Sequence, residues 1–155
     1  MSLFFYETEL GKLGVVEDNG YITRVYFAQE SVPGDLEIIE TAGLKEAGRQ
    51  LLAYAKGELK EFQLPINPTG TTFMKLVWKS LLDIPYGKTA SYKDVAVSIG
   101  SPKAMRAVGL ANNRNPIPII IPCHRVIGAN GKMIGYGGGI PLKERLLKLE
   151  ADNCK

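Results

Sequence analysis

A segment rich in proline and glycine, FQLPINPTGT at residues 62–71, divides the chain into two parts with different patterns. The part before it contains short β-prone runs separated by Gly, Asp and Asn, which is typical of hairpins. In the part after it, apolar residues recur at the 3.6-residue spacing of helices. A chain of 155 residues is long enough for one sizeable core or two small domains. The segment favours two domains, at residues 1–67 and 68–155.

The N-terminal part predicts a small antiparallel sheet followed by a helix. Its β-prone runs are LFFYETEL, GKLGVVED and GYITRVYFAQ. Residues 42–56 then place a set of leucines and alanines on one helical face: Leu44, Ala47, Leu51, Leu52 and Ala55. We therefore expect an α/β protein of the α+β type, whose N-terminal domain is a sheet with one helix.

The C-terminal part predicts a mostly helical domain. Helices are indicated over residues 71–84 and 91–99, and a further helix is expected to begin with Ser101 as N-cap and Pro102 at the first helical position. The last two helices are separated by a tight turn containing glycine, which is a helix-turn-helix pattern. Many helix pairs with short loops bind nothing, so the pattern alone leaves DNA binding open.

Charge is distributed unevenly along the chain. Residues 1–67 carry six Lys and Arg against 11 Asp and Glu, a net charge of −5, whereas residues 68–155 carry 13 against five, a net charge of +8. A basic part joined to an acidic part suggests that the basic part meets a polyanion. Chance clustering of charge on solvated faces explains the asymmetry equally well.

The sequence favours a cytoplasmic protein. The N-terminus MSLFFYETEL lacks the basic region and the apolar stretch of a signal peptide. No apolar run approaches the roughly 20 residues that cross a bilayer. Two cysteines do not form a disulfide framework, which favours a reducing compartment.

The stretch IPCHRVIG at residues 121–128 contains the only histidine, His124, directly after one of the two cysteines, Cys123. A zinc site needs four ligands, or three and a water, and this chain offers only these two residues and Cys154. The glycine-rich run GYGGGI lacks the lysine and the strand–helix context of a nucleotide-binding loop. We therefore expect neither a metal nor another cofactor.

A nucleophilic role for Cys123 is better supported, because a thiol reacts as thiolate and His124 is an adjacent base. Neighbouring side chains of an extended segment point to opposite faces, so a direct contact needs a bend at Cys123 or a bridging water. Pro122 favours an extended Ile121 and marks the end of a strand, where such a bend is possible.

The last helix offers a third member for this group. Glu150 shares a helical face with Leu146 and Leu147, and a carboxylate on an inward face needs a partner. His124 is the only imidazole available, although a solvated glutamate near the C-terminus is an equally good interpretation. Arg106 is the one long cation in a helix of small residues, which suits either a wedge that enters a base stack or an ordinary surface arginine.

Several separated motifs, in order, resemble the O6-alkylguanine-DNA alkyltransferases, also called methylated-DNA–protein-cysteine methyltransferases. The matching text is VW…L…IPYGKTASYKDVA, PKAMRAVGLANNRNPIPIIIPCHRVIG and GYGGG…KERLLKLE, between Phe73 and Glu150. The resemblance covers the C-terminal half of the chain and implies a winged-helix-like arrangement around the helix-turn-helix. Some relatives bind zinc in their first domain, but residues 1–67 contain neither Cys nor His, so no metal is expected here.

The resemblance implies a role for each matching residue. Cys123 accepts the alkyl group and is activated through a water molecule by His124, which Glu150 orients. Tyr92 helps to protonate the leaving base near the guanine O6. Asn115 is the hinge between the DNA-binding helix and the active-site strand.

The same resemblance implies a DNA-binding surface and a base pocket. Arg106 enters the base stack when the target nucleotide flips out. Further DNA contacts are expected from Ser101, Lys103, Ala104, Ala107, Arg114 and Arg125. The pocket is expected to be walled by Tyr136, Gly137, Gly138 and Val126.

The function that the resemblance implies is direct-reversal DNA repair. The protein is expected to act as a monomer on double-stranded DNA containing O6-alkylguanine, and also on O4-alkylthymine. It transfers the alkyl group to its own Cys123 once per molecule, because a thioether is not hydrolysed in water. The alternatives are a non-catalytic helix-turn-helix protein that binds alkylated DNA and a Cys–His hydrolase.

Overall fold

The computed structural model describes residues 1–154 and divides into two compact units. The first unit is Met1–Pro68 and the second begins at Thr69. The division falls inside the proline- and glycine-rich segment, where few side chains are buried.

The first unit is a four-stranded sheet with one helix. Its strands are β1 (Ser2–Thr8), β2 (Gly11–Asp18), β3 (Tyr21–Phe27) and β4 (Glu37–Ile38), in the order β3-β2-β1-β4. The three long strands are antiparallel neighbours, and short β4 pairs parallel to β1. The predicted antiparallel sheet is therefore present, with one additional strand at its edge.

The helix of this unit is α1 (Ala42–Ala55). It begins where the Thr41 hydroxyl accepts a hydrogen bond from the Leu44 amide, which satisfies a donor left open by the first helical turn. The apolar face predicted from the sequence is largely buried, with Leu44 and Leu51 at 0% and 1% exposure. This face of α1 forms one side of the hydrophobic core, and the sheet forms the other side.

The second unit is mostly helical. In chain order its elements are α2 (Thr72–Leu81), β5 (Ala90–Ser91), α3 (Tyr92–Ser98), α4 (Met105–Asn113), β6 (Val126–Ile127) and α5 (Ile140–Asn153). The short strands β5 and β6 pair in parallel. Helices α3 and α4 form the helix pair, joined by residues 99–104 with Gly100 at φ +78°. The winged-helix-like arrangement stays a prediction.

Trp78 ties α2 to α4 in the core of this unit. The indole is 1% exposed, and its Nε1–H donates to the Ala111 carbonyl oxygen at 2.9 Å. A buried indole needs such an acceptor because its N–H has left water. The position of α4 is therefore fixed by packing and by one directed bond.

Helix α4 begins later than the sequence predicts. Ser101 is not its N-cap, because Ser101 and Pro102 belong to a turn closed by the Ala104 amide donating to the Ser101 carbonyl. The helix starts at Met105, and Ala104 caps it without a side-chain hydrogen bond. Ser101, which the sequence pattern assigns to the start of a helix, therefore lies in a turn instead.

The apolar run before Cys123 is not a strand, contrary to expectation. Residues 117–121 are buried, but they form bends and a turn in which the Ile121 amide donates to the Ile117 carbonyl at 2.9 Å. Pro116 and Pro118 have no amide hydrogen for a sheet ladder. Ile119 has a φ of +74°, which is unusual for a β-branched residue. Residues 117–121 are buried but do not pair in a sheet. Their burial explains why the apolar pattern resembles that of a strand.

No helix within residues 1–154 is both long and apolar enough to cross a membrane.

Candidate active site and DNA-binding surface

Cys123 opens a single turn of 3-10 helix, Cys123–Arg125, referred to below as the catalytic turn. Its backbone is held by the Cys123 amide donating to the Ile121 carbonyl at 2.8 Å and by the Arg125 amide donating to the Pro122 carbonyl at 3.0 Å. The chain thus bends at Cys123, which removes the geometric objection that an extended segment raises. Cys123 is a free, buried thiol.

The surroundings of the thiol act on its acidity in opposite directions. Burial is the largest influence and raises the pKa of Cys123 to about 11, because the thiolate loses its hydration. A hydrogen bond from the Asn115 side chain and the positive charge of Lys143 lower this pKa. At neutral pH the thiol of the free protein is therefore protonated, and a base is needed to make it reactive.

His124 and Glu150 form a buried pair beside this thiol. Their Nε2 and Oε2 atoms are 2.7 Å apart, and both side chains are at most 1% exposed. Burial lowers the pKa of His124, although Glu150 opposes this effect. A neutral imidazole that donates from Nε2 to a carboxylate keeps the lone pair on Nδ1, which is then the basic nitrogen. The structure thus brings together the base and the carboxylate named from the sequence, and the thiol belongs to the residue directly before that base.

Arg125 lies inside the domain, which corrects the expectation that it contacts DNA. It is 7% exposed, and its Nε and Nη2 donate to the two carboxylate oxygens of Glu150 at 2.8 and 2.9 Å. Its Nη1 donates to the carbonyl of Ile84. Three of the five N–H donors of this guanidinium are thus used in the interior. Arg125 instead completes the partners of the buried carboxylate.

Gly87 supplies one further hydrogen bond to this carboxylate, at 3.2 Å from its amide to Glu150 Oε1. The backbone of Gly87 has a φ of +78°, and a β-carbon there would stand 2.5 Å from that of Cys154. Only glycine fits this position without strain. Cys154 is exposed and lies at the end of α5.

Lys143 is a buried cation that sequence reasoning missed. It is 0% exposed, and its Nζ donates to the carbonyls of Val126 at 2.6 Å and Ile134 at 3.1 Å. Burial lowers its pKa, and the nearby Cys123 has the opposite influence. Lys143 precedes Glu150 by seven residues, two helical turns, so one face of α5 carries both charges. That spacing is the signal in the sequence that points to an inward-facing lysine.

Tyr92 and Asn115 approach the catalytic turn from two other elements. Tyr92 is the first residue of α3, after a capping box in which Ser91 and Asp94 exchange side-chain and backbone bonds. Its hydroxyl donates to the Ile134 carbonyl at 3.2 Å, and burial raises its pKa, with a smaller contribution from Cys123. Asn115 follows α4 and donates from Nδ2 to the Ile121 carbonyl at 2.8 Å.

Asn112 is a second residue that the sequence analysis did not identify. It lies on α4 at 2% exposure, and its Nδ2 donates to the Cys123 carbonyl at 3.3 Å. This bond links the helix directly to the catalytic turn. An asparagine within a stripe of small residues gives little sign of facing inward.

The outer face of α4 and the residues flanking this helix present the side chains predicted to contact DNA. Arg106 is exposed and makes no hydrogen bond or ion pair with another residue between positions 1 and 154. Exposed or partly exposed residues surround it: Ser101, Lys103, Ala104, Ala107 and Arg114. Small side chains and unpaired cations allow close approach to a polyanion.

The segment between β6 and α5 carries the predicted pocket residues. Tyr136 and Gly138 are partly buried and Gly137 is exposed, whereas Val126 is fully buried within β6. The Gly139 amide donates to the Tyr136 carbonyl at 2.9 Å, which closes a turn at the start of α5. No group of three or more His, Cys, Asp or Glu within the described chain is arranged to hold a metal ion.

Comparison with known proteins first defines the class. Residues 72–152 match the family described as 6-O-methylguanine DNA methyltransferase, DNA binding domain. This range contains the helix pair, the catalytic turn and nearly all of α5. The second unit is therefore the DNA-binding domain of a DNA methyltransferase of this kind.

Relatives extend the similarity to the whole chain. The methylated-DNA–protein-cysteine methyltransferase of Methanosarcina barkeri is 62% identical over 111 residues, covering 72% of this chain and 70% of the relative. The constitutive one of Bacillus subtilis is 46% identical over 156 residues, covering 96% and 94%. The crystal structure of Mycobacterium tuberculosis OGT in complex with DNA gives a TM-score of 0.93 at 44% identity, covering 99% and 94%.

The chain belongs to the family of methylated-DNA–protein-cysteine methyltransferases. It is an enzyme of direct-reversal DNA alkyl repair. The resemblance found in the sequence is thereby confirmed.

Proposed function

We propose that this protein removes the alkyl group from O6-alkylguanine in double-stranded DNA, and from O4-alkylthymine, by transferring it to the sulfur of Cys123. The thiolate attacks the alkyl carbon in line with the bond to the base oxygen. The new S–C bond forms as the C–O bond breaks. The electron pair of the broken C–O bond passes to the base. Protonation of the base restores guanine and leaves an S-alkylcysteine.

The observation that carries this proposal is the buried pair of His124 and Glu150 next to a buried, free Cys123. The carboxylate fixes the imidazole so that its Nδ1 is basic, and the imidazole takes the thiol proton through a bridging water molecule. The carboxylate stabilises the positive charge that forms on the imidazole. The same arrangement operates where histidine activates other thiol and hydroxyl nucleophiles. Asn115 supports the thiolate by its hydrogen bond to the sulfur.

Tyr92 is proposed to donate a proton toward the leaving base. Its hydroxyl is already turned toward the segment that walls the pocket, through its bond to Ile134. The raised pKa of Tyr92 keeps it protonated at neutral pH, so it acts as a donor. The pocket itself is proposed to be formed by Tyr136, Gly137, Gly138 and Val126.

DNA binding is proposed to use the outer face of α4. Arg106 enters the stack in place of the extruded nucleotide, since a base must leave the duplex before a buried thiol can reach its O6. Contacts from Ser101, Lys103, Ala104, Ala107 and Arg114 to the backbone are largely indifferent to sequence. Affinity is therefore expected to fall steeply with salt.

The reaction is proposed to occur once per molecule. A thioether is chemically stable, and the other cysteine, Cys154, is exposed, whereas Cys123 is buried. A monomer in the cytoplasm suits this chemistry, because a reducing compartment keeps Cys123 as a thiol.

The decisive test is intact mass after incubation with duplex DNA containing O6-methylguanine. We expect a gain of one CH2, since methyl replaces the thiol proton, and peptide mapping should locate it at Cys123. The matched variants are Cys123→Ala and Cys154→Ala. The first should bind DNA without gaining mass, whereas the second should react as the wild type does.

Other outcomes separate the alternative functions. A protein that binds the alkylated duplex without any mass change is a lesion-binding protein, and the proposal is then wrong. Repeated turnover of an ester or peptide in the absence of DNA would instead identify a Cys–His hydrolase.

A further inference from the structure

Helix α5 presents a carboxylate to the catalytic turn and an ammonium group to the residue that follows the turn. Glu150 binds His124 and Arg125 within the turn, whereas Lys143 binds the carbonyl of Val126, the residue directly after it. Both side chains are nearly or fully inaccessible to solvent. A buried ammonium is costly unless its donors are satisfied, so Lys143 has a specific structural or chemical reason to be present.

The two carbonyls that Lys143 binds belong to both ends of one loop. Val126 lies in β6 and Ile134 lies eight residues later, shortly before the predicted pocket residue Tyr136. The hydroxyl of Tyr92 donates to the same Ile134 carbonyl, at 3.2 Å. A single carbonyl oxygen thus receives one donor from α3 and one from α5.

We infer that Lys143 is a positioning residue of the alkyl-transfer reaction, which holds the pocket loop and Tyr92 in register with the thiol and supplies the positive charge that favours the Cys123 thiolate. This inference rests on the proposed function of Cys123. The loop has few other restraints: residues 129–132 are exposed, and its internal bonds include the Gly128 amide donating to the Lys132 carbonyl. Lys143 therefore sets the distance between the end of the loop and the catalytic turn.

The electrostatic part of this role follows from the groups around the thiol. His124 and Arg125 lie on the turn itself, Tyr92 comes from α3, and Glu150 and Lys143 come from α5. Arg125 is neutralised by its two bonds to Glu150. Among residues 1–154, Lys143 is bound only to neutral carbonyls, so its charge remains available to the thiolate.

The test uses two readouts in a Cys154→Ser background, where Cys123 is the only thiol. The first is the single-turnover rate of methyl transfer from duplex DNA containing O6-methylguanine. The second is the pH dependence of alkylation of Cys123 by iodoacetamide in the absence of DNA. Lys143→Met removes charge and donors at similar length. Lys148→Met, on an exposed part of the same helix, is the control.

For Lys143→Met we expect transfer to slow by about 10- to 100-fold, because a misplaced pocket loop no longer aligns the reacting atoms. The pH profile of iodoacetamide alkylation should move upward by roughly one unit, since a positive charge near the thiolate is lost. DNA affinity should stay within about twofold, as Lys143 is buried away from the outer face of α4. A merely structural lysine would leave the pH profile of a folded variant unchanged.

Lys143→Gln keeps an amide donor without the charge and carries the same expectation for the pH profile if Lys143→Met does not fold. A folded variant with a wild-type profile and a transfer rate within about twofold of wild type overturns the inference. Absence of transfer in the wild type instead contradicts the proposed function. The iodoacetamide comparison still decides the electrostatic role of Lys143 in that case.

Discussion

Two regions of the second unit carry their charged residues in opposite ways. Around the catalytic turn, Glu150 is buried and bonded to three donor groups from His124 and Arg125. On the outer face of α4, Arg106 is exposed and makes no such bond within residues 1–154. Under the proposed function, the first region has its charged groups paired before DNA binds, and the cations of the second region find their partners in the DNA. Changes in the two regions should therefore differ in kind.

The largest effect is expected from Glu150→Leu. It leaves Arg125 buried without its counter-ion, which should lower the free energy of unfolding by about 3–5 kcal/mol and abolish alkyl transfer. Urea unfolding at pH 7 measures this change. The control is Asp152→Asn on the exposed part of α5, where loss of the pair with Lys148 should change stability by about 0.5 kcal/mol or less. Equal effects of the two variants would contradict the importance of burying the pair of Glu150 and Arg125.

Arg106→Ala should affect the reaction with duplex DNA and leave the folded protein unaltered. Because extruding a base costs a few kcal/mol, transfer from duplex O6-methylguanine should slow by about 10- to 100-fold. Reaction with the free base O6-methylguanine should proceed at the wild-type rate, and the urea midpoint should not move. Lys148→Ala serves as the matched exposed cation. A similar loss with both substrates would place Arg106 in the chemical step.

The pH dependence of stability should report on the buried region alone. The folded-state pKa of His124 is lowered by burial, and its unfolded value is about 6.5. Below that value the unfolded chain binds a proton that the folded protein resists, so the free energy of unfolding should fall as pH falls from 7.5 to 5.5. The slope is at most about 1.4 kcal/mol per pH unit, because one group titrates.

Denaturant titrations at several pH values test this expectation. His124 is the only histidine of the chain, so His124→Gln should flatten the dependence in this window. Arg106→Ala should retain it. A wild-type protein that becomes more stable on acidification through this range would contradict the buried, neutral imidazole.

The smallest effects are expected at two glycines, one in each region. Gly87 and Gly100 both have a φ of +78°, but a β-carbon at Gly100 meets nothing within 4 Å, whereas one at Gly87 meets the β-carbon of Cys154. Gly100→Ala should cost about 1 kcal/mol from backbone strain alone, and Gly87→Ala about 2–3 kcal/mol. In a Cys154→Gly background the two costs should become equal by thermal or urea unfolding.

The sequence predicts the elements of this fold better than their connections. Periodicity is sufficient for the first sheet and for α1, because each has one clearly apolar face. The capping pattern at Ser101 and Pro102 places the start of α4 too early. The apolar run at residues 117–121 is treated as extended, because burial alone produces the same run without a sheet ladder. The prolines and the positive φ of Ile119 determine the backbone conformation of this segment, and neither produces a periodic pattern in the sequence.

The candidate site follows the same division. Cys123, His124 and Glu150 can be named from residue types and from the inward face of α5. Arg125 cannot be assigned in this way, and Lys143 has only its seven-residue spacing from Glu150 as a signal. Arginine and lysine are ordinarily exposed, and only the tertiary structure shows which carbonyl or carboxylate satisfies them. Long side chains reach partners that are remote in sequence, as Arg125 does at Ile84.

Trp78 gives this protein an internal optical probe. It is the only tryptophan of the chain, and its indole is sealed in the core with its N–H directed at the Ala111 carbonyl of α4. Indole emission responds to the loss of such a bond and to the entry of water, so any displacement of α4 that breaks this contact is visible as a spectral shift. A displacement of α4 during the proposed reaction can thus be followed in real time without an attached dye.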